Sequence, residues 1–146
     1  MRGDVAEWQV DAGDGLTLHV AASGSGPALV LLHGFTGSGA SWDSVREALQ
    51  PGRRLVTIDL PGHGRSSSPG DPARYGLSRF ADDVITVLDA LQLHRVALLG
   101  YSLGGRLALG VGVLAPQVVS ALVLEGASPG LSDAAERATR VASDEA

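Results

Sequence analysis

Short apolar runs alternate with amphipathic stretches along this chain. The apolar runs are rich in Val and Leu and are typical of strands buried on both faces of a sheet; they occupy residues 28–32, 55–60, 95–99 and 118–124. Apolar residues at helical spacing predict three helices, over 40–49, 77–92 and 103–114. Two further strands, at 7–10 and 16–21, flank a turn-rich segment and predict an antiparallel hairpin. The expected fold is α/β, with a mostly parallel sheet and the hairpin at one edge.

Polar positions refine this prediction. The helix over 77–92 is expected to place three aspartates on its solvent side: Asp82, Asp83 and Asp89. The helix over 103–114 is apolar nearly all round and is expected to be buried. Ser132 is expected to cap a last helix, in which the i,i+4 spacing predicts two ion pairs, Asp133 with Arg137 and Glu136 with Arg140.

The strongest chemical signal is Gly100-Tyr101-Ser102-Leu103-Gly104, placed between a predicted strand and a predicted helix. In that context Gly-x-Ser-x-Gly indicates a nucleophile elbow, a sharp turn that presents a reactive serine. The two glycines lack a Cβ, which lets strand and helix approach closely. The helix N-terminus directs its N–H groups at the serine oxygen. The alternative interpretation is an ordinary Gly/Ser-rich turn.

A glycine-rich loop, His33-Gly34-Phe35-Thr36-Gly37-Ser38-Gly39, follows the strand at 28–32. Backbone of this kind turns sharply and exposes N–H groups, as an oxyanion hole requires. The strand at 55–60 delivers Asp59 to a second loop, Pro61-Gly62-His63-Gly64-Arg65-Ser66. Trp42 is interpreted as a core residue of the first helix rather than as a ligand contact.

Composition limits the function classes. The 146 residues suit one domain, and 45% of them are hydrophobic, which is enough for a core. The net charge of −5 without a basic block argues against a nucleic-acid partner. The absence of cysteine excludes disulfides and thiolate metal sites, and no metal or cofactor is expected. No apolar leader is found in Met1-Arg2-Gly3-Asp4-Val5 and no membrane-spanning run elsewhere, so a soluble, cytoplasmic protein without a membrane partner is expected.

The motifs, taken in order, resemble the α/β-hydrolase superfamily. More narrowly, three segments resemble the 2-succinyl-6-hydroxy-2,4-cyclohexadiene-1-carboxylate synthases, which are lyases of menaquinone biosynthesis. These segments are residues 32–37, residues 100–106 and Leu124-Glu125-Gly126-Ala127-Ser128-Pro129-Gly130-Leu131. Residues 132–146 resemble the start of that family's lid. The resemblance implies an α/β-hydrolase fold that stops before the lid and the last strands.

The resemblance also implies residue roles. Ser102 would be the catalytic serine, and the N–H groups of Phe35 and Leu103 would form the oxyanion hole. Three residues would bind a small anionic substrate: Arg106, Tyr101 and Arg140. Arg106 is alternatively a surface arginine, and Arg140 part of a solvated, salt-bridged face. Glu125 is a candidate for the triad acid, with a structural or substrate-side role as the alternative.

One expected residue is missing, because the triad histidine follows the serine in this fold and no histidine follows Ser102. Each of the four histidines suits a structural role better than that of the base: His19, His33, His63 and His94. The chain therefore resembles an N-terminal half, and residues 118–124 are expected to offer an edge for self-association or for a C-terminal half. Three functions remain open: the lyase, a generic serine esterase acting on a small ester, and a non-catalytic module. Relatives with an aspartate nucleophile are disfavoured by Ser102.

Overall fold

A single mixed sheet organises the computed structural model, which describes residues 4–146. Its six strands are β1 (Ala6–Asp11), β2 (Thr17–Gly24), β3 (Ala28–Leu32), β4 (Arg54–Ile58), β5 (Val96–Tyr101) and β6 (Val119–Glu125). Their order in the sheet is β1-β2-β4-β3-β5-β6. β1 and β2 pair antiparallel, β2 pairs antiparallel with β4, and β4, β3, β5 and β6 run parallel. The predicted mostly parallel sheet with an N-terminal hairpin is confirmed. The prediction of no leader in Met1–Val5 and the single-domain assignment of 1–146 include residues 1–3, which lie outside the described residues.

The α-helices are α1 (Arg46–Leu49), α2 (Leu77–Ala90), α3 (Leu103–Leu114) and α4 (Ala134–Asp144). Shorter 3-10 turns cover Gly39–Trp42, Pro72–Tyr75 and Pro116–Val118. Among residues 4–146, no helix is both long and apolar enough to cross a bilayer.

The continuous helix predicted over 40–49 is wrong. A 3-10 turn and α1 replace it, separated by a turn at 43–45. Of its three apolar positions, Trp42 is buried and Leu49 packs against the small core cluster, but Val45 is 41% exposed. Burial therefore stabilises only the two ends of the segment, and α1 has no buried residue to extend it.

The larger core lies between one face of the sheet and the helices α2 and α3. Alternate strand residues such as Val30, Leu32 and Leu98 point into it and are inaccessible to solvent. The opposite face carries a smaller cluster formed by Leu29, Leu31, Trp42 and Leu55. The two clusters therefore lie on opposite faces of the sheet, and the loops that follow β3 and β5 leave the sheet between them.

Asp83 corrects the predicted polar face of α2. Asp82 and Asp89 are exposed as expected, but Asp83 is buried. Its carboxylate accepts two hydrogen bonds from Arg74, from Nη1 at 3.1 Å and from Nη2 at 2.9 Å. Asp83 raises the pKa of Arg74 further above its usual range by this bonding. A buried aspartate next to Phe80 and Val84 is tolerated because the guanidinium neutralises it.

The end of the chain differs from the prediction in its capping. Asp133, not Ser132, caps α4, because its Oδ1 accepts from the N–H groups of Ala135 and Glu136. Arg137 donates to the carbonyls of Leu131 and Ser132 instead of pairing with Asp133. The predicted pair of Glu136 with Arg140 is absent from the described chain, since Arg140 pairs with Asp144.

β6 is exposed, although its sequence predicts a buried strand. It pairs with β5 on one side and is the last strand in the sheet order. Leu122, Val123 and Leu124 are 37%, 50% and 40% exposed. The helix α3, expected to be buried all round, also exposes Val113 and Leu114 on its last turn. Apolar side chains thus cluster at this edge with nothing among residues 4–146 to cover them.

Candidate active site

Ser102 occupies a strained turn between β5 and α3. Its φ of 52° and ψ of −113° lie outside the regions that L-residues adopt readily. The turn is held from both sides: the Ser102 N–H donates to the Glu125 carbonyl at 2.9 Å, and the Ser102 carbonyl accepts from Gly105 and Arg106. Strain of this kind persists only where the surroundings enforce it, and it concentrates at functional sites.

The glycines that flank Ser102 are required by close backbone contacts, as predicted. A Cβ on Gly104 would lie 2.0 Å from the carbonyl oxygen of Leu32, and one on Gly100 would lie 2.2 Å from that of Gly104. α3 therefore starts in direct contact with the end of β3. This contact brings the Ser102 turn next to the loop that follows β3.

The loop His33–Gly39 presents free backbone donors beside that turn. Thr36 has a positive φ of 65°, and Gly37 N–H donates to the Gly34 carbonyl at 3.0 Å, so the loop reverses direction. Within the described chain, the N–H groups of Phe35 and Leu103 donate to no protein acceptor. Leu103 directly follows Ser102, and Gly34, before Phe35, packs against Tyr101, so both N–H groups belong to segments that adjoin the turn.

None of the four histidines is hydrogen-bonded to Ser102 in the described chain. His33 is buried, and its Nδ1 donates to the Gly34 carbonyl at 2.7 Å while its Nε2 accepts from Leu60 N–H at 3.0 Å. Because Nε2 accepts, the ring is in its neutral Nδ1–H form in this bonding arrangement, and burial lowers its pKa. His63 donates to the Pro61 carbonyl and packs against His33, with ring centroids 5.0 Å apart and ring planes tilted by 56°. His19 is bonded to Asp59, and His94 precedes β5, at the end remote from Ser102.

A cavity of about 480 Å³ opens beside Tyr101, on the α1 side of the sheet; Ser102 and Leu103 are not among the residues that line it. The predicted residues Phe35, Tyr101 and Glu125 line it, together with His33, Gly34, Thr36, Gly37, Ser41, Trp42, Ser44 and Val45. The Tyr101 ring packs over Gly34, where a Cβ would lie 2.9 Å from Tyr101 Cδ1. Tyr101 thus lines the cavity, and its predicted contact with a substrate stays a prediction. Trp42 is buried in the core and also reaches this cavity.

Arg106 lies in a separate groove of about 280 Å³ between α2 and α3. It is exposed and shares the groove with apolar side chains such as Leu77 and Leu109 and with the hydroxyls of Ser78 and Ser128. The described residues include no acidic partner for its guanidinium within 4 Å. Arg106 is therefore a free cation one helical turn from Ser102, outside the residues that line the larger cavity.

Glu125 and Arg140 have different surroundings. Glu125 ends β6 opposite Tyr101 in the sheet register, and its side chain lines the larger cavity. Arg140 is exposed on α4, and its Nε donates to Asp144 Oδ2 at 2.9 Å. Neither groove nor cavity includes Arg140 in its lining. Over residues 4–146, no three His, Asp or Glu side chains are grouped to hold a metal ion.

Sequence reasoning missed Asp59 as a structural centre of the site. It is buried at the end of β4, and its carboxylate accepts from Gly39 N–H at 2.6 Å and Arg65 N–H at 2.9 Å. It also contacts His19 Nδ1 at 3.2 Å. The available signal was an aspartate that directly follows a buried strand and precedes a glycine-rich loop.

Comparisons with known proteins agree with this architecture. A Bacillus subtilis (strain 168) protein is 44% identical over 137 residues, which are 92% of this chain and 50% of that protein; its name assigns it provisionally as a 2-succinyl-6-hydroxy-2,4-cyclohexadiene-1-carboxylate synthase. A pimeloyl-[acyl-carrier protein] methyl ester esterase of Vibrio campbellii is 42% identical over 84% of this chain and 45% of the esterase. The crystal structure of a hydrolase from Pseudomonas aeruginosa PA01 superposes with a TM-score of 0.81 and 34% identity, covering 97% of this chain and 52% of that one.

This chain spans about half the length of each of these relatives. The family described as "alpha/beta hydrolase fold" matches residues 27–142, which include the Ser102 turn and the glycine-rich loop. On these matches and on its sheet topology, the chain belongs to the α/β-hydrolase family.

Proposed function

We propose that this chain carries the nucleophile and oxyanion part of a serine-dependent enzyme that eliminates pyruvate to form 2-succinyl-6-hydroxy-2,4-cyclohexadiene-1-carboxylate. The observation that carries the proposal is the strained Ser102 turn beside two unpaired N–H groups. In this reaction Ser102, with its histidine, removes a carbon-bound proton from the substrate, the electron pair spreads into an extended enolate, and pyruvate leaves. The 44% identity to the Bacillus subtilis protein supports this choice of reaction.

The developing negative charge on oxygen explains the two donors. The N–H groups of Phe35 and Leu103 are fixed before the reaction and have no other acceptor within the described chain. Such preorganised donors are worth about 3 to 4 kcal/mol each in transition-state stabilisation. A hydroxyl alone is a poor base, so Ser102 also needs an adjacent histidine and an acid to orient it.

We propose that the histidine comes from a segment that pairs with the open edge of β6. β6 is apolar on both faces and has one strand neighbour in the described sheet. The relatives are about twice as long as this chain, so their remaining parts supply enough residues for such a segment. Glu125 lines the cavity next to Tyr101 and is retained as a candidate acid.

The substrate of this reaction carries several carboxylates, and the proposed cations are Arg106 and Arg140. Arg106 has no acidic partner in the described chain and lies one helical turn from Ser102, but in the groove between α2 and α3, so the substrate would have to extend from the turn into that groove. Arg140 would have to leave Asp144 in order to bind the substrate. Tyr101 would form the wall that separates the substrate from Gly34.

Labelling with a fluorophosphonate probe tests the role of Ser102. The chain alone is expected to label slowly, since no histidine ring in the described chain is bonded to Ser102. The His33 backbone lies against the first turn of α3, but both of its ring nitrogens hold other partners. Mixing it with the separately expressed part of the Bacillus subtilis relative that this chain does not match is expected to accelerate labelling, and Ser102→Ala should abolish it. Rapid labelling of the chain alone would show that it already holds its own base.

Substrate comparison separates the lyase from an esterase, the alternative that the Vibrio campbellii relative's name favours. In the complemented protein, Arg106→Ala is expected to lower kcat/KM for the polyanionic lyase substrate and to leave hydrolysis of neutral p-nitrophenyl esters unchanged. Arg95→Ala is the matched control, because Arg95 is equally exposed but lies before β5, at the opposite end of that strand. Ester hydrolysis without pyruvate release would favour the esterase. The absence of both reactions would favour a non-catalytic module.

A further inference from the structure

The loop that carries the Phe35 N–H is fixed at both ends by the two consecutive residues that follow β4. At its start, His33 Nε2 accepts from Leu60 N–H at 3.0 Å. At its end, Gly39 N–H donates to Asp59 Oδ1 at 2.6 Å. Asp59 and Leu60 directly follow β4, so the end of β4 sets the position of the loop that follows its neighbour in the sheet, β3.

The Asp59 carboxylate is enclosed and fully used. Its Oδ2 accepts from Arg65 N–H at 2.9 Å and from His19 Nδ1 at 3.2 Å, while its backbone carbonyl accepts from the Ser66 hydroxyl. A Cβ on Gly64 would lie 2.2 Å from Oδ2, so the loop after β4 closes directly over the carboxylate. Asp59 is 5% exposed, and water therefore does not compete for these bonds.

Between the two anchors the loop has little support of its own. Gly37 N–H bonds to the Gly34 carbonyl, Thr36 holds a positive φ of 65°, and the Phe35 side chain is 75% exposed. A loop with an exposed aromatic residue and a strained threonine does not hold one conformation by burial. Apart from local contacts, namely Ser38 N–H to Ser41 Oγ at 3.1 Å and the Tyr101 ring over Gly34, the His33 and Asp59 anchors are the hydrogen bonds that tie this loop to the end of β4.

We propose that Asp59 is a positioning residue for the oxyanion hole: its carboxylate, by holding Gly39 N–H, sets the direction in which Phe35 N–H points. The proposal rests on the proposed role of the Phe35 N–H. Asp59 touches no reacting atom and acts through the loop. Displacement of a catalytic group by about 1 Å costs up to about 100-fold in rate.

Asp83 supplies a matched control. Like Asp59, it is a buried aspartate whose carboxylate accepts hydrogen bonds. It is 3% exposed and accepts two hydrogen bonds from Arg74, but it lies on α2. Asp59→Asn and Asp83→Asn remove the same charge from similarly buried positions. Asp59→Asn replaces one of the two carboxylate oxygens, Oδ1 or Oδ2, by an NH₂ donor. Of the two variants, only this one changes the acceptor group that holds the oxyanion loop.

Amide hydrogen exchange of the chain, followed by NMR, is the first readout. In the unsubstituted protein the Gly39 amide is expected to exchange slowly despite lying in a loop. Asp59→Asn should accelerate exchange of the amides over residues 36–39 by at least about tenfold and shift the Phe35 resonance, relative to Asp83→Asn at the same fraction folded. Equal behaviour of the two variants, or a rapidly exchanging Gly39 amide in the unsubstituted protein, would overturn the proposal. The second of these outcomes requires no variant to fold.

Fluorophosphonate labelling of Ser102 is the second readout. Asp59→Asn should slow labelling by about 10- to 100-fold beyond the effect of Asp83→Asn. If the unsubstituted chain fails to label even with its complementing part, the proposed function is contradicted, while the exchange comparison still decides the role of Asp59. If labelling is normal in Asp59→Asn, the positioning role is wrong.

Discussion

At Gly104 the first turn of α3 passes so close to β3 that the side-chain position is occupied by backbone. A Cβ there would lie 2.0 Å from the Leu32 carbonyl oxygen. Backbone cannot rotate out of the way as a long side chain can, so the clash must be relieved by moving α3 or β3. The position of Ser102, which caps α3, depends on this contact.

Gly104→Ala is therefore expected to destabilise the protein by several kcal/mol, in contrast to a second glycine on the same helix. A Cβ on Gly110 would meet only Ala81 Cβ, at 3.8 Å, which is an ordinary contact. Gly110→Ala should stabilise the protein by up to about 1 kcal/mol through helix propensity. Urea unfolding of both variants checks this; similar midpoints for the two would contradict the close-approach argument.

His33 makes the fold sensitive to mild acid. Its Nε2 must stay unprotonated to accept from Leu60 N–H, and burial lowers its pKa below the ordinary value of 6.5. Below pH 6.5 the imidazole binds a proton more readily in the unfolded chain than in the folded chain, so the free energy of unfolding falls as pH falls. The full contribution is present above pH 6.5 and declines toward the folded-state pKa.

The expected loss from this one group is at most about 1.4 kcal/mol per pH unit. Urea unfolding at pH 7.0 and 5.5 should show a smaller pH-dependent loss in His33→Gln than in the unsubstituted protein. His94→Gln, at an exposed site, should keep the full loss. If His33→Gln retains the same pH dependence, the buried ring is not the group responsible.

At this scale the sequence was informative where a motif has fixed geometry. Gly-x-Ser-x-Gly between a strand and a helix predicted the strained serine, and the structure has it. Asp59 was missed because its partners Gly39 and His19 lie 20 and 40 residues away in sequence, and only the fold brings them to one carboxylate. The placement of Arg106 in its own groove likewise depends on the packing of α2 against α3.

At the scale of elements, the apolar pattern predicted the strands and the two long helices to within a few residues. It failed over 40–49, where helical spacing was present but only Trp42 and Leu49 found a surface to pack against. It also failed at Asp83, because periodicity assigns a charged residue to the solvent side unless a partner is known. That partner, Arg74, lies in the preceding 3-10 turn.

The pair of Arg74 and Asp83 joins the middle of α2 to that turn. Both side chains are less than 10% exposed. Breaking one partner of a buried pair leaves an uncompensated charge, which costs about 3 to 5 kcal/mol. Asp83→Asn is expected near the lower end, because its amide oxygen still accepts one bond from the guanidinium.

The matched control is Asp144→Asn, which breaks the i,i+4 pair of Arg140 with Asp144 on α4. Those side chains are 70% and 60% exposed, and solvent screens the pair. The expected loss is below about 0.5 kcal/mol. Chemical denaturation measures both variants; comparable losses would mean that burial of the Arg74 pair has no energetic consequence.

For the whole molecule, the decisive feature is that the sheet ends on an apolar strand. β1, at the other edge, is a hairpin strand with charged residues such as Glu7, which pairs with Arg65 and has its pKa lowered by that pairing. β6 carries Leu122, Val123 and Leu124 with unpaired backbone groups on its outer side. An exposed apolar edge invites pairing with another strand.

The chain by itself is therefore expected to self-associate through β6 when no complementing segment is present. Val123→Lys places a charge on the edge strand and should reduce association measured by light scattering at equal concentration. Val141→Lys is the matched control, because Val141 is 55% exposed on α4, away from the sheet, whereas Val123 is 50% exposed on its edge. The same variant should also weaken docking of the complementing part of the Bacillus subtilis relative, since both partners would use one edge. If Val123→Lys and Val141→Lys reduce association equally, general solubility and not the β6 edge governs it, and the proposed docking surface is wrong.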